Sequence, residues 1–366
     1  MNGRFCDLRR PGAALVGRIM QSQNAVMMPL ENRPETCLMQ LPRLPCLYLS
    51  MLLVQLVAPL ALADWHRLEA PLMGTSVSVE LWHEDAAAGE AAARVVMAEY
   101  HRINEAMSTY REDSEISHVN REAHRAPVPV SEELFKLIAR SLALSEASDG
   151  AFDITFDSVG QHYDFRAGEL PDAADLEAGV AALDYRLVEL DEQQRTVRFL
   201  AAGVRINLGG IAKGYAIERG AQLLLARGIE HALLNAGGDS RVIGDRRGQA
   251  WVVGVRDPRN RDAVVVRLPI DNEAISTSGD YERYFERDGV RYHHILNPRT
   301  GHPVSGVRSA TVIGPDATLT DGLSTTIFVM GVSRGMALIA SMPGYEAVMI
   351  DADGRLAYSS GLAPPP

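Results

Sequence analysis

Two glycine pairs frame the stretch Val204 to Asp239, VRINLGGIAKGYAIERGAQLLLARGIEHALLNAGGD, and they constrain the fold more than any other segment. Val204 to Leu208 is a short apolar run that ends in Gly209-Gly210. From Ala212 to Arg227 apolar side chains return at Ala216, Ile217, Leu223 and Leu224, while Glu218, Arg219 and Gln222 take the other side, which is the period of an amphipathic helix. Gly228 stops that helix, His231 to Asn235 predicts a second strand, and Gly237-Gly238 lets the backbone turn again. The spacing therefore predicts a strand-helix-strand unit with a glycine pair at each strand end.

A glycine turn before a helix leaves backbone N–H groups free at the helix start, where the partial positive charge favours an anion. Lys213 stands in the first turn and adds a full charge. The motif is neither the dinucleotide fingerprint GxGxxG nor the phosphate loop GxxxxGK[ST]. Two readings of these glycines stand side by side: structural turns, which are common between strands and helices, and a phosphate site.

Elsewhere Leu72 to Leu81 alternates as a half-buried strand, Glu84 to Ala106 reads as a long helix, and the polar segment Met107 to Asn120 as a surface turn. Ser131 to Ser148 predicts a helix, followed by Asp149 and Asp153, which suit either metal ligation or capping. Tyr185 to Leu190 and Thr196 to Leu200 form a predicted hairpin, as do Tyr281 to Glu286 and Val290 to Leu296 around Asp288-Gly289. Trp251 to Arg256 and Val264 to Ile270 are further strands. His293 and His294 are adjacent on a strand, so they face opposite ways and only one can look into a pocket. A helix predicted to open near Thr320 or Asp321 carries Asp321, Ser324 and Thr325 at i, i+3 and i+4, on one face. Oxygen ligands of this kind suit a hard ion such as Mg²⁺, and a capped helix start explains them equally. Hairpins mixed with one strand-helix-strand unit predict an α+β fold.

At 366 residues and 46% hydrophobic, the chain can bury one large core or two, and a net charge of −11 with no basic run argues against a nucleic-acid surface. Leu47 to Leu62 is an apolar run of signal-peptide length ending in Ala61-Leu62-Ala63. We expect residues 1–63 to be an extension and a leader cleaved after Ala63, with Met39 as the start that gives a leader of ordinary length. An uncleaved membrane anchor is the other reading of that run. Residues 64–360 form the catalytic domain and 361–366 a tail. Cys6, Cys37 and Cys46 all precede the expected cut, so no lipid-anchoring cysteine follows the apolar run.

NLGGIAKGYA resembles the signature of the bacterial ApbE family, the FAD:protein FMN transferases, with Asn207 where that family usually has Asp. The resemblance implies one compact catalytic unit of T-fold-like mixed sheets with packed helices. It implies FAD contacts from Met73 of MGT and Tyr110 of STY, from the tripeptide Ala151, Phe152 and Asp153, and from Asn207, Lys213 and Leu296. It implies Mg²⁺ held by the Gly210 carbonyl with Asp321, Ser324 and Thr325. The pattern H-[IV]-[ILV]-[DN]-P-x-T-G picks out His294, our candidate general base, with Lys213 holding the diphosphate.

The activity so implied splits FAD, joins FMN through its phosphate to a threonine or serine hydroxyl of a membrane redox protein, and releases AMP. The implied acceptors are subunits of quinone or ferredoxin oxidoreductases or of the nitrous-oxide reduction apparatus, and the implied location is the periplasm. A periplasmic FAD pyrophosphatase giving FMN and AMP, or a flavin carrier without turnover, would use the same motifs.

Overall fold

Strand-forming runs in this chain are short and mostly bounded by turn signals, a pattern that builds hairpins more readily than crossovers. The structure, a computed structural model, describes residues 64–260 and 262–362; the expected leader, the three cysteines and the last prolines lie outside the described residues. Strands β1 (Asp64–Leu72), β2 (Thr75–His83), β3 (Ala232–Ala236), β4 (Asp239–Ile243), β5 (Ala274–Gly279), β6 (Val307–Gly314), β7 (Glu346–Asp351) and β8 (Leu356–Tyr358) form one sheet. They lie in chain order, and each neighbouring pair is antiparallel. Separate hairpins pair Trp251–Arg256 with Val264–Ile270 and Tyr284–Arg287 with Val290–His293, and a small sheet joins Val128–Pro129, Thr196–Phe199 and Val188–Asp191.

The helices are α1 (Ala86–Met107), α2 (Glu115–Glu122), α3 (Glu132–Ala147), α4 (Asp157–Gly160), α5 (Ala173–Ala181), α6 (Ala212–Leu225), α7 (Ala317–Met330) and α8 (Val332–Ala340). Three of them pack side by side on the sheet: α1 against β1 and β2, α6 against β3 and β4, and α7 against β5 and β6. Their buried stripes, with Tyr100 and Ile103 on α1, Ala216 and Ile217 on α6, and Leu323, Ile327 and Phe328 on α7, meet Val77, Val79 and Leu81 of β2 and Val312 of β6 in one core. The α+β expectation therefore holds, with the helix of the glycine stretch at the centre of the layer.

Four local expectations change. Val204 to Leu208 is extended but is not a strand of any sheet. Its backbone groups are taken by partners distant in sequence: Ile206 donates to Asn120 Oδ1 and accepts from Asn120 Nδ2, Arg205 donates to Ser158 Oγ, and Asn207 donates to the Ile154 carbonyl. Leu72 to Leu81 is not one strand, because Met73 and Gly74, with φ of 54° and 71°, make the two-residue turn between β1 and β2. The polar segment Met107 to Asn120 contains the start of α2, where Ser114 caps the Ser117 N–H and Ile116 and Val119 are buried. Finally, α7 opens at Ala317 with Asp316 as its cap, so Asp321 lies in the second turn. Capping of its own helix therefore does not account for Asp321.

Candidate active site at the α6–α7 junction

Helix α6 meets α7 with almost nothing between them. A Cβ placed on Gly214 would lie 2.1 Å from the Ala317 carbonyl oxygen and 2.6 Å from the Asp321 Cβ, so glycine is required for this approach. The approach lets the Gly214 N–H donate to Asp321 Oδ2 at 2.8 Å. One residue earlier, Lys213 places its Nζ 3.2 Å from Asp321 Oδ1 and 2.7 Å from Asp239 Oδ2. Asp239 opens β4 directly after Gly237-Gly238, and both carboxylates are almost wholly buried.

With both carboxylates ionised, two buried anions and one ammonium give this group a net charge of −1. Burial alone would lower the Lys213 pKa, but the attraction of Asp239 and then of Asp321 outweighs it and holds the ammonium charged above its ordinary range. Asp239 moves the other way. Burial first, and the like charge of Asp321 second, raise its pKa against the pull of Lys213. Two buried carboxylates this close favour an incoming cation.

The glycine turn is locked by Asn207, whose Oδ1 accepts the Gly209 N–H at 2.8 Å and whose Nδ2 donates to Thr109 Oγ1 at 3.1 Å and to Asp157 Oδ1 at 3.0 Å. An amide can do both; a carboxylate could not donate to Asp157. The departure from the usual Asp at this position is therefore matched by its neighbours. The contact with Thr109 also brings the loop of Tyr110 to the turn, and the Tyr110 ring is 88% exposed.

Gly210 faces α7 and the Phe152 ring: a Cβ there would lie 3.2 Å from Phe152 and 3.5 Å from Thr325 Oγ1. Ala151 and Phe152 follow α3 in a tight turn, with their N–H groups donating to the Ser148 carbonyl and Ser148 Oγ. The Asp153 carboxylate accepts from the Thr155 N–H and hydroxyl and from the Tyr185 N–H, so its side chain serves this turn. Asp149 is exposed and paired to Arg299 at 2.7 Å. Both aspartates thus take the capping and turn roles.

Ser324 and Thr325 stand one turn after Asp321 on α7, Ser324 fully buried and Thr325 partly exposed. The strand Val290–His293 stops at the first histidine, so His294 lies just past it and not on it as expected. His293 is buried edge-on to Phe328 at 5.6 Å, accepts from the Ile295 N–H on Nδ1, and so carries its hydrogen on Nε2, which donates to the Val304 carbonyl. His294 faces the other way, with its Nδ1 3.4 Å from the Arg283 carbonyl. A carbonyl only accepts, which assigns the hydrogen to Nδ1 and leaves the Nε2 lone pair open. Burial, then the charge of Arg283, push the His294 pKa down to about 3, so the ring is neutral near pH 7. Arg283 also reaches the Gly74 carbonyl at 3.5 Å, which ties the Met73 turn to His294.

Gly210, Lys213, Asp321 and Thr325 are thus brought together, with Asn207 on the same glycine turn and the Phe152 ring against Gly210. Leu296 is buried in a separate apolar cluster with Val159, Tyr163 and Leu183. Sequence reasoning gave no role to Asp239, Gly214 or Arg283. The signal for Asp239 was present, since a charged residue that opens a strand after a glycine pair is either solvated or paired.

The family model described as the ApbE family matches residues 73–349. A FAD:protein FMN transferase of Klebsiella pneumoniae is 34% identical over 295 residues, covering 80% of this chain and 90% of its own length. One of Treponema pallidum is 35% identical over 276 residues, 70% of this chain and 76% of that protein. Among solved structures, the ApbE protein from Thermotoga maritima superposes with a TM-score of 0.75 at 35% identity, covering 81% of this chain and 97% of that one. The flavin transferase ApbE from Vibrio cholerae gives 0.72 at 28% identity, over 82% and 98%.

Proposed function

The chain belongs to the ApbE family, and from that premise we propose that it transfers FMN from FAD to a protein, with a threonine or serine hydroxyl as acceptor and Mg²⁺ as its metal. The observation that carries the reading is the buried group of Lys213, Asp239 and Asp321 set against the glycine turn. The donors assigned to the metal are oxygens only: the Asp321 carboxylate, the hydroxyls of α7 and, by the family resemblance, the carbonyl of Gly210. With Asp239 ionised, the net charge of −1 on Lys213, Asp239 and Asp321 suits a divalent cation. Among the described residues no three acidic or histidine side chains converge on one point, so phosphate oxygens and waters would complete six positions. When bound, the cation neutralises the diphosphate and the charge that develops on departing AMP.

The chain's own residues account for the rest of the reaction. Lys213, fixed by two carboxylates, holds the diphosphate without needing to reorganise. The acceptor hydroxyl oxygen forms a bond to the FMN phosphorus, the bond from that phosphorus to the bridging oxygen breaks, and AMP leaves with that oxygen. The hydroxyl proton passes to Nε2 of the neutral His294, whose Nδ1 is engaged by the Arg283 carbonyl. The exposed Tyr110 ring offers a face on which an isoalloxazine can stack.

The test is AMP release from FAD and Mg²⁺ with and without a protein fragment carrying a candidate acceptor threonine. Release that depends on the fragment, with flavin fluorescence moving onto it in a denaturing gel, is the expected result. Release without a fragment would make hydrolysis the activity. The apolar run Leu47 to Leu62 supports an exported, periplasmic protein, and a membrane redox subunit as acceptor belongs to the same reading.

A further inference from the structure

Ser278 of β5 touches both hydroxyls of the α7 cluster, with its Oγ 2.9 Å from Ser324 Oγ and 3.1 Å from Thr325 Oγ1. A hydroxyl has one hydrogen to give, and that fixes the direction of the whole chain. Ser324 Oγ lies 2.9 Å from the Asp321 carbonyl oxygen, which can only accept, so the hydrogen of Ser324 is engaged there. Ser324 must then accept from Ser278. With its own hydrogen on Ser324, Ser278 has only lone pairs to offer Thr325, and Thr325 is the donor between them. The bonds run from Thr325 to Ser278, from Ser278 to Ser324, and from Ser324 to the backbone.

The two hydroxyls of α7 are left unequal. Thr325 has given its hydrogen away and keeps its lone pairs, it is partly exposed, and it lies on the side of Gly210. Ser324 is fully buried and already accepts one bond. A cation needs lone pairs, and binding one to Thr325 polarises its O–H and strengthens each bond behind it.

We infer that Ser278 is a positioning residue of the cation site: through this relay it presents Thr325 as the lone-pair ligand, with Ser324 as a relay member and not a ligand. The inference rests on the proposal that a divalent cation binds beside Asp321. It adds a second residue from the sheet, beside Asp239, to the site at α6 and α7.

Mn²⁺ binding to the purified, chelator-stripped protein, followed by the electron paramagnetic resonance signal of free Mn²⁺, tests it without turnover. Mn²⁺ takes the same hard oxygen donors. Ser278→Ala is expected to weaken binding about tenfold, the scale of one hydrogen bond, while the metal-free thermal midpoint stays close to wild type. Ser278→Thr keeps the hydroxyl and is expected to restore binding. Ser324→Ala also breaks the relay, so the double variant with Ser278→Ala should bind no worse than Ser278→Ala alone.

Wild-type affinity in Ser278→Ala, with binding lost in Asp321→Asn, overturns the inference and leaves the cation site standing. Additive losses in the double variant overturn it too, since Ser324 would then be a ligand in its own right. No Mn²⁺ binding by the wild type, or unchanged binding in Asp321→Asn, removes the cation site and the inference together.

Discussion

The half of the site on α6 and α7 and the half on exposed turns are held in different ways. Around Lys213 the groups are buried, charged and paired at 2.7 to 3.2 Å, and glycine packs backbone against backbone. Around Met73, Tyr110 and His294 the side-chain contacts are long, 3.4 Å from His294 Nδ1 to the Arg283 carbonyl and 3.5 Å from the Arg283 guanidinium to the Gly74 carbonyl, and Tyr110 stands in solvent. The first half is preorganised for phosphate and a cation, which differ little from one nucleotide to another. The second has room to adjust to a flavin ring and to a protein acceptor. Substitutions should therefore cost stability in the first half and affinity in the second.

The largest effect is expected from Lys213→Met. It leaves Asp239 and Asp321 buried without their cation, and breaking a buried pair by removing one partner costs about 3–5 kcal/mol. The pKa of Asp239 is already raised by burial and by Asp321, and losing Lys213 raises it further. A group with a raised folded pKa favours the folded state at low pH, and that advantage is lost as pH rises through the folded pKa. The folded pKa of Asp239 is about 7 in the wild type, so urea unfolding of Lys213→Met should show a deficit that is level below about pH 7 and grows from there toward pH 9. A deficit independent of pH would mean the ammonium does not balance these carboxylates.

Gly214→Ala comes next. Its methyl group would meet the Ala317 carbonyl, and forcing α6 from α7 is expected to cost about 1–3 kcal/mol and to weaken cation binding with it. Thermal unfolding and Mn²⁺ titration of the same variant measure both. Asn207→Asp follows, at roughly 1–2 kcal/mol, because it removes the donor to Asp157 and sets two carboxylates face to face. A more stable Asn207→Asp would show that the neighbours of Asn207 are not tuned to an amide.

His294 sharpens the comparison through pH. Its folded pKa, about 3, is depressed from 6.5, so between those values the unfolded chain binds a proton that the folded chain refuses. Stability contributed by the neutral ring is complete above the unfolded value and falls as pH drops through the window. His294→Gln should flatten that acid slope, measured by unfolding at pH 4, 5 and 7, and should slow flavin transfer. An unchanged slope would place the ring in solvent.

Legibility in the sequence divides along the same line. Lys213, Asp321 and Thr325 could be found because they sit at helical spacings beside glycines, and periodicity reports helices well. The partners of Asp239 and Ser278 lie 26 to 47 residues away on helices, and only the packing of α6 and α7 on the sheet brings them close. Val204 to Leu208 has the composition of a strand, yet its bonds go to Asn120, Ser158 and Ile154, and no local pattern records that choice. Gly214 passed unremarked for the same reason: a glycine inside a helix shows its purpose only when the second helix is in place.

Tyr110→Ala is the smallest expected change in stability and the cleanest separation of the two halves. The ring is 88% exposed, so its removal uncovers little and should shift unfolding by no more than about 0.5 kcal/mol. Its neighbour Thr109 keeps its bond to Asn207, so the glycine turn and the cation group stay in place. If the ring stacks on bound flavin, FAD affinity should fall by about three- to tenfold, the scale of an aromatic pair, while Mn²⁺ binding is unchanged. Fluorescence quenching of FAD and Mn²⁺ titration on one preparation give both numbers. A variant that loses the cation with the flavin would show that the exposed turns help to hold the buried half, and the division drawn between them would have to be given up.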